Sequence, residues 1–245
     1  MKLIKLSAID STNLYLKKMA SEKDCENYTV VQADYQLEGR GQMGTVWNAK
    51  QGKNLTFSIL LFFEKFKVED QFYLSMAVSL GIIEVLQPLV SQKLQVKWPN
   101  DILAEGNKLA GILIENILGS NSIKKSVIGI GLNVNQTKFP SNIPKVTSLK
   151  KLTNKNFNID NLLEKIIFSI KQKVILVEKQ EYKSLRKMYL QQLYKYQVPA
   201  MFCDKNNTPF MGKIIGVNHV GQLVVEDDKE NARTFNLKEI KFADK

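Results

Sequence analysis

Three short stretches of the chain carry residue types that can handle an anion. The first is Gly39-Arg40-Gly41-Gln42-Met43-Gly44, followed by Thr45, Val46 and Trp47. Glycines let backbone N–H groups approach a phosphate or carboxylate, and a guanidinium set among them grips such a group through two parallel hydrogen bonds. The spacing also spells G-x-G-x-x-G, but that dinucleotide fingerprint works only when a helix opens directly after the glycines and receives the pyrophosphate on its N-terminus. Here TVWNAKQGKN follows, with no helical period and with Gly52 in its midst. A P-loop ending at Gly52-Lys53 fails too, because Trp47 stands where its first glycine belongs and Asn54 replaces the Ser or Thr. The residues predict an anion clamp carried on a loop.

The second stretch is Lys97-Trp98-Pro99-Asn100-Asp101, with Lys108-Leu109-Ala110-Gly111-Ile112-Leu113-Ile114-Glu115 shortly after it. Both lysines flank a turn between β-type runs, which predicts two ammonium groups converging on one phosphate, with Asp101 close enough to orient an amine or a metal ion. A turn-capping aspartate after Pro99-Asn100 is the competing role for Asp101. The third stretch, Gly129-Ile130-Gly131-Leu132-Asn133-Val134-Asn135, alternates glycine with apolar residues, as expected of a strand with a ligand against its backbone. Asn133 can then read an adenine edge. The single histidine, His219, reads as a turn residue beside Gly221, which argues against a serine or metallo-hydrolase.

These stretches need a frame. Asp10, Ser11, Thr12 and Asn13 can all cap a helix, and Leu14, Leu16, Met19 and Ala20 continue one from about residue 11. Thr29–Ala33 and Leu55–Phe63 read as strands joined by a long polar loop over 36–54, and loops of that length in compact domains usually serve a ligand. Phe72, Met76, Leu80, Ile83 and Leu86 predict a core-facing helix over 69–87. Strands follow at Leu94–Trp98, Leu109–Glu115 and Val127–Val134, with PNDILAEGN read as a polar turn. Further helices run through Leu162, Leu163, Ile166, Ile167, Ile170 and Val174, and over Tyr182–Leu193. From Pro199 short strands with Asn and Gly turns predict a small β-barrel, giving domains at 1–194 and 195–245.

The composition sets the class. With 245 residues, 44% hydrophobic, there is sequence for a buried core without staples. No apolar run is expected to cross a bilayer, the start MKLIKLSAID lacks signal-peptide character, and Cys25 and Cys203 form no framework, so a reduced cytoplasm is the expected setting. The formal charge of +11 admits nucleic acid, acidic proteins or an anionic substrate such as ATP. Lys17, Lys18, Lys171, Lys173, Lys183 and Lys187 fall on predicted helix surfaces, which favours a solvated face over a nucleic-acid groove.

Taken in order, DSTN at 10–13, GRGQMGTVW at 39–47, KWPNDI with KLAGILIE at 97–102 and 108–115, and IGIGLNVN at 128–135 resemble the biotin protein ligases, and the likeness extends from residue 7 to about 240. VTSL at 146–149 and the small C-terminal β-domain fit the same family. The resemblance implies an α+β fold: a mixed central sheet flanked by helices, of the class II synthetase-like type. It implies biotin and ATP with Mg²⁺, a biotinyl-adenylate intermediate, and transfer to a lysine of a carrier domain, with that of acetyl-CoA carboxylase as the family expectation. Position by position it implies that Ser11, Thr12 and Gln36 meet the ureido head or flank biotin, with Asn13, Gly39, Gln42, Gly111 and Gly131 also around it. Arg40, Gly41 and Lys108 would meet its carboxylate and the phosphate. Lys97, Asn100, Asp101 and Asn133 would serve the nucleotide, the metal and the acceptor lysine, and Trp47 would pack on the adenylate.

The chain departs from the family in two ways. Gln42 stands where the family often has arginine, removing one cationic contact to the activated intermediate. Only nine residues precede Asp10, whereas bifunctional members carry a winged-helix domain there, so DNA is not expected as a partner, nor is a membrane; a homodimer through an exposed strand edge is possible on sequence grounds. A lipoate ligase shares the fold and the adenylation chemistry, but the WPND and GRGQMG patterns favour biotin. A non-enzymatic nucleic-acid-binding module would explain the charge and not the lysines beside glycine-rich strands.

Overall fold

Leu55–Phe66 (β3), Asn107–Leu118 (β6) and Ile123–Leu132 (β7) are the longest strands of the computed structural model, which describes residues 2–243 other than 23, 24, 121, 142 and 144. With Leu3–Leu6 (β1), Thr29–Ala33 (β2), Leu94–Lys97 (β4) and Asp101–Ala104 (β5) they form a seven-stranded sheet in the order β1-β2-β3-β7-β6-β5-β4. Only β1 and β2 pair in parallel, so the sheet is mixed, as expected.

Side chains alternate between the faces of a strand, and the residues of one parity here are strongly apolar. Leu55, Phe57 and Ile59 of β3 lie level with Leu132, Ile130 and Ile128 of β7, and those with Ala110, Ile112 and Ile114 of β6. This face packs against helices Gln71–Leu86 (α2), Ile159–Glu178 (α4) and Tyr182–Gln192 (α5). The other face has a small cluster where helix Thr12–Glu22 (α1) sets Leu16 and Ala20 on Val31, Leu60 and Val127. Beyond α1 that face is open.

Helix α2 is apolar all round, because it lies between the sheet and the other helices. With its flanking turns, Val68–Leu89, it is long and apolar enough to cross a bilayer, which the sequence reading did not anticipate; 61% of the apolar window is buried within the protein. It packs tightly on α4, where Gly81 lies against the backbone of Ile170. Nearby, Ser169 and Lys173 of α4 both donate to Glu84. Burial pushes the Glu84 carboxyl up, but these two donors outweigh it and hold the group below its ordinary value.

Two strands and a helix were not anticipated: β1, β5 and Leu149–Thr153 (α3). Asp101–Ala104 sits in a stretch rich in turn residues, yet Ile102, Leu103 and Ala104 are buried. The turn is only Glu105-Gly106, both at positive φ (49° and 76°), as a two-residue hairpin between twisted strands requires.

Pro199–Asp204 (β8), Pro209–Val217 (β9), Leu223–Asp227 (β10), Ala232–Phe235 (β11) and Ile240–Phe242 (β12) make a second, antiparallel sheet in the order β11-β10-β9-β8-β12. Phe202 lies between Phe210 and Phe242, with ring centroids 5.7 and 5.0 Å away. The indole N–H of Trp98 donates to the Gly221 carbonyl at 2.9 Å, and the amide of Tyr194 donates to Val96 at 2.8 Å. The apolar core is continuous between the two sheets.

The α2–α4 contact gives a test in which two effects oppose. Gly81→Ala gains about 1 kcal/mol of helix propensity. Its methyl carbon, however, would stand 2.9 Å from the Ile170 backbone, and overpacking of this kind costs about 1–3 kcal/mol. The expected result is a lower midpoint in thermal unfolding, by a few degrees; a raised midpoint would mean the helices separate freely.

Candidate functional site

Residues directly opposite each other on neighbouring strands share a face. Along one line across the open face stand Thr56 (β3), Gly131 (β7), Gly111 (β6), Asp101 (β5) and Lys97 (β4). Two residues further along, Ser58 is level with Gly129 and Leu113. The glycines leave the middle of the sheet without side chains, and above them lies a cavity of about 220 Å³.

The indole of Trp47 covers part of this floor: a Cβ on Gly131 would run into its ring, and one on Gly111 would come within 3.4 Å of it. Trp47 is brought there by the glycine-rich segment, which folds back as a short hairpin. Arg40 bridges to Val46, the Gly41 amide donates to Thr45 at 2.7 Å, and the Trp47 amide donates to Gly39 at 2.8 Å. The tip turns at Met43 and Gly44, both at positive φ. Gly39 and Gly41 are required by close approach, since side chains there would strike the Trp47 carbonyl and the Thr45 hydroxyl.

The two cations at the cavity differ in how closely they are paired. Lys108 Nζ lies 2.8 Å from Asp101 Oδ1 and 5.6 Å from the Trp47 ring centroid. This approach is ionic in distance but not aligned as a hydrogen bond, since Asp101 Oδ1 is buried with no aligned donor. Among the described residues the Arg40 guanidinium pairs with Glu38, at 3.9 Å, and its side chain is 53% exposed. An exposed pair at that separation contributes little, so Arg40 can turn to an incoming anion at small cost.

The far end of the cavity is lined by hydroxyls and amides. Gln36 Oε1 accepts from the Thr12 amide at 2.8 Å and lies 3.0 Å from its hydroxyl. Ser58 Oγ lies 2.8 Å from the Thr12 hydroxyl and donates to Asn13 Oδ1 at 2.6 Å. Ser11, Thr12 and Asn13 are brought here by the first turn of α1, all of them buried.

Of the residues singled out in the sequence, Ser11, Thr12, Asn13, Gln36, Arg40, Gly41, Gln42, Trp47, Asn100, Asp101, Lys108, Gly111 and Gly131 line this one cavity. Gly39 lies behind it, beneath Trp47. Lys97 does not converge with Lys108: its ammonium sits 5.6 Å from the centroid of Phe242 in the second sheet. Asn133 is buried just past β7, its backbone joined to Leu109 and Leu149, and does not line the cavity. Thr45, Thr56, Leu113 and Gly129 line it without having been assigned a role there. The period of two back from Gly131 pointed to Gly129; Thr56 and Ser58 were hidden inside an apolar run.

A magnesium ion takes several oxygen ligands. Among the described residues no three His, Cys, Asp or Glu side chains come together to hold one. Asp101 alone does not make a resident metal centre, and it is already beside Lys108. One carboxylate is what the protein can offer to an ion carried in on a nucleotide's phosphates.

The sequence profile described as the Biotin/lipoate A/B protein ligase family matches residues 6–133. The bifunctional ligase/repressor BirA of Bacillus spizizenii is 26% identical over 228 residues, covering 91% of this chain and 69% of that protein. The biotin–[acetyl-CoA-carboxylase] ligase of Mycobacterium tuberculosis is 35% identical over 147 residues, 58% of this chain and 52% of its own. Among solved structures, the biotin protein ligase from Aquifex aeolicus in complex with biotin and ATP superposes with a TM-score of 0.81 at 25% identity, covering 99% of both chains.

The glycine floor makes a prediction independent of any ligand. Gly131→Ala should push the Trp47 ring off the sheet, and because the hairpin yields more easily than three paired strands, indole emission should move to longer wavelength with the unfolding midpoint nearly unchanged. Unaltered emission would show that the ring does not rest on Gly131.

Proposed function

Because the chain belongs to the biotin/lipoate A/B protein ligase family, we propose that the cavity over Gly111 and Gly131 is where a biotin carboxylate is activated and handed to a carrier lysine. The protein is an ATP-dependent biotin protein ligase, with biotin and ATP as substrates and a biotin carboxyl carrier domain as partner. The observation that carries the assignment of the site is the arrangement along one face: a polar end at Thr12 and Gln36, a floor without side chains, and cations at Arg40 and Lys108.

In the first step a carboxylate oxygen attacks the α-phosphorus of ATP and pyrophosphate leaves. Two anions must meet, and fixed cations lower the cost of that approach where water is excluded. Arg40 takes the carboxylate and the phosphate, because its exposed pairing with Glu38 at 3.9 Å yields at small cost. Lys108 stabilises the charge that develops on the phosphate while Asp101 holds it in place. A magnesium ion brought with ATP would meet the single carboxylate of Asp101 and would supply neutralising charge for the leaving pyrophosphate. Trp47 and the hairpin shield the mixed anhydride from water.

In the second step the lysine amine attacks the acyl carbon. A C–N bond forms, the C–O bond to the phosphate breaks, and AMP leaves with the electron pair while the amine gives up a proton. Asp101, in line with the floor, positions that amine. The carrier domain of acetyl-CoA carboxylase is the acceptor we assign. DNA is not assigned as a partner: Lys17, Lys18 and Lys173 on the helix surfaces pair with Glu115, Glu22 and Glu84 and form a solvated face.

The polar end speaks against lipoate. A dithiolane offers no hydrogen bond to the remaining donors and acceptors of Thr12 and Gln36, and a net hydrogen bond contributes about 0.5–1.5 kcal/mol. A cyclic urea presents both donors and acceptors to them.

The test is pyrophosphate release from MgATP with biotin, lipoate or neither, followed by mass spectrometry of an added carrier domain. Biotin-dependent release and one biotin on the carrier lysine are expected; lipoate dependence would move the site to the sister activity. Arg40→Ala removes a charge-assisted contact worth about 1.5–3 kcal/mol, so biotinyl-adenylate should dissociate at least about tenfold faster. An unchanged release rate would remove Arg40 from the clamp. Asp101→Ala should slow transfer to the carrier and, because it releases Lys108, adenylate formation as well; wild-type rates in both steps would leave Asp101 only its turn.

A further inference from the structure

Lys97 ends the line that crosses the open face from Thr56, and it stands directly opposite Asp101. Residues paired in this way have Cβ atoms about 5 Å apart, so the Asp101 carboxylate is well within reach of a lysine side chain. Lys97 does not take it. Asp101 lies beside Lys108, and Lys97 Nζ is held 5.6 Å from the centroid of the Phe242 ring in the second sheet. Among the described residues Lys97 makes no ion pair. We propose that Phe242 is a positioning residue for the adenylation step, whose ring keeps the Lys97 ammonium away from Asp101 and ready for the β- and γ-phosphates of the nucleotide. The proposal rests on the ligase reading of the site.

The kind of contact matters. A carboxylate would hold the ammonium and cancel its charge, whereas a ring face attracts it through the quadrupole and leaves the charge available. An ammonium has three N–H donors, so a ring on one side leaves the others for an anion, and the contact persists when phosphate arrives. The ring itself is fixed by Phe202 and Tyr194, with centroids 5.0 and 5.4 Å away. Both chain neighbours of Lys97 are tied to the same region: Val96 accepts from the Tyr194 amide at 2.8 Å, and the Trp98 indole donates to Gly221 at 2.9 Å. Lysine and ring therefore keep their relative place.

The direction suits the reaction. The carboxylate reaches the α-phosphorus from the Thr12 end of the cavity, and pyrophosphate departs on the opposite side, because attacking and leaving oxygens lie roughly in line. That side is toward β5 and β4, where Lys97 stands two strand spacings, about 10 Å, beyond Gly111. The second sheet thus contributes to catalysis by holding a cation where the leaving group goes.

Fluorine withdraws electron density from a ring face and changes its shape little. Replacing Phe242 site-specifically by phenylalanine carrying one, two or three ring fluorines should loosen the hold stepwise and let Lys97 fall to Asp101. Apparent affinity drops with the fraction of protein whose ammonium is ready. The Michaelis constant for MgATP should rise along the series, reaching about two- to fivefold with three fluorines, while that for biotin stays within about twofold. Lys97→Met removes a charge-assisted contact, so it should raise the MgATP constant at least about tenfold and abolish the fluorine effect.

The measurement is pyrophosphate release at varied MgATP and saturating biotin, with the four rings in the wild-type and Lys97→Met chains. A stepwise rise that vanishes without Lys97 supports the positioning role, since a ring needed only for packing responds to size and not to fluorine. A flat series, a falling MgATP constant, the same series in Lys97→Met, or a Lys97→Met constant equal to wild type overturns the proposal and leaves the ligase reading standing. Wild-type protein without biotin-dependent release overturns both.

Discussion

Everything in this structure depends on keeping the middle of one face, on two neighbouring strands, free of side chains. Glycine in a strand weakens it by about 0.5–1 kcal/mol, and Gly111, Gly129 and Gly131 lie on two adjacent strands. The opposite face outweighs that cost: Ile112, Ile128, Ile130 and Leu132 are buried on the same two strands, at about 1.5–3 kcal/mol for each side chain removed from water. The helices α2 and α4 serve the site by holding the sheet from behind. A ligand can then lie against backbone in the middle of a sheet whose stability comes from its other side.

The same alternation separates the chemistries in space. Hydroxyls and amides gather where α1 begins, and the cations stand at the hairpin and at the start of β6. The cations differ in state: Lys108 is held by Asp101, whereas Arg40 is half exposed with only a distant glutamate. A fixed charge and a movable one suit a reaction in which two anions are first brought together and the product is then retained. The hairpin that carries Arg40 also carries Trp47, so the groups that bind the anion and cover the floor move as one.

Much of this was legible in the sequence because motifs report on backbone. Gly39, Gly41 and Gly131 are glycines for close approach, and the structure places a neighbour against each of them. The α2 pattern and the strand Thr29–Ala33 followed from periodicity alone. What was not legible depends on register. Lys97 and Lys108 looked like partners across one turn, but β5 intervenes and Lys97 passes to Phe242 in the second sheet. Thr56 and Ser58 looked like minor interruptions of an apolar strand; only the pairing of β3 with β7 places them in line with Gly131 and Gly129. Glu115 ends a recognisable motif, but nothing along the sequence says that it faces Lys17 and Asn13, about a hundred residues away.

The central claim is that biotin lies on the glycine floor with its ring toward Thr12. Titration of the ¹⁵N-labelled protein with biotin, followed by amide chemical shifts, tests it directly. The account predicts saturable shifts at Gly111, Gly129, Gly131 and Thr12, with the second sheet unmoved and lipoate much weaker. Biotin binding that leaves the three glycine amides in place would contradict it.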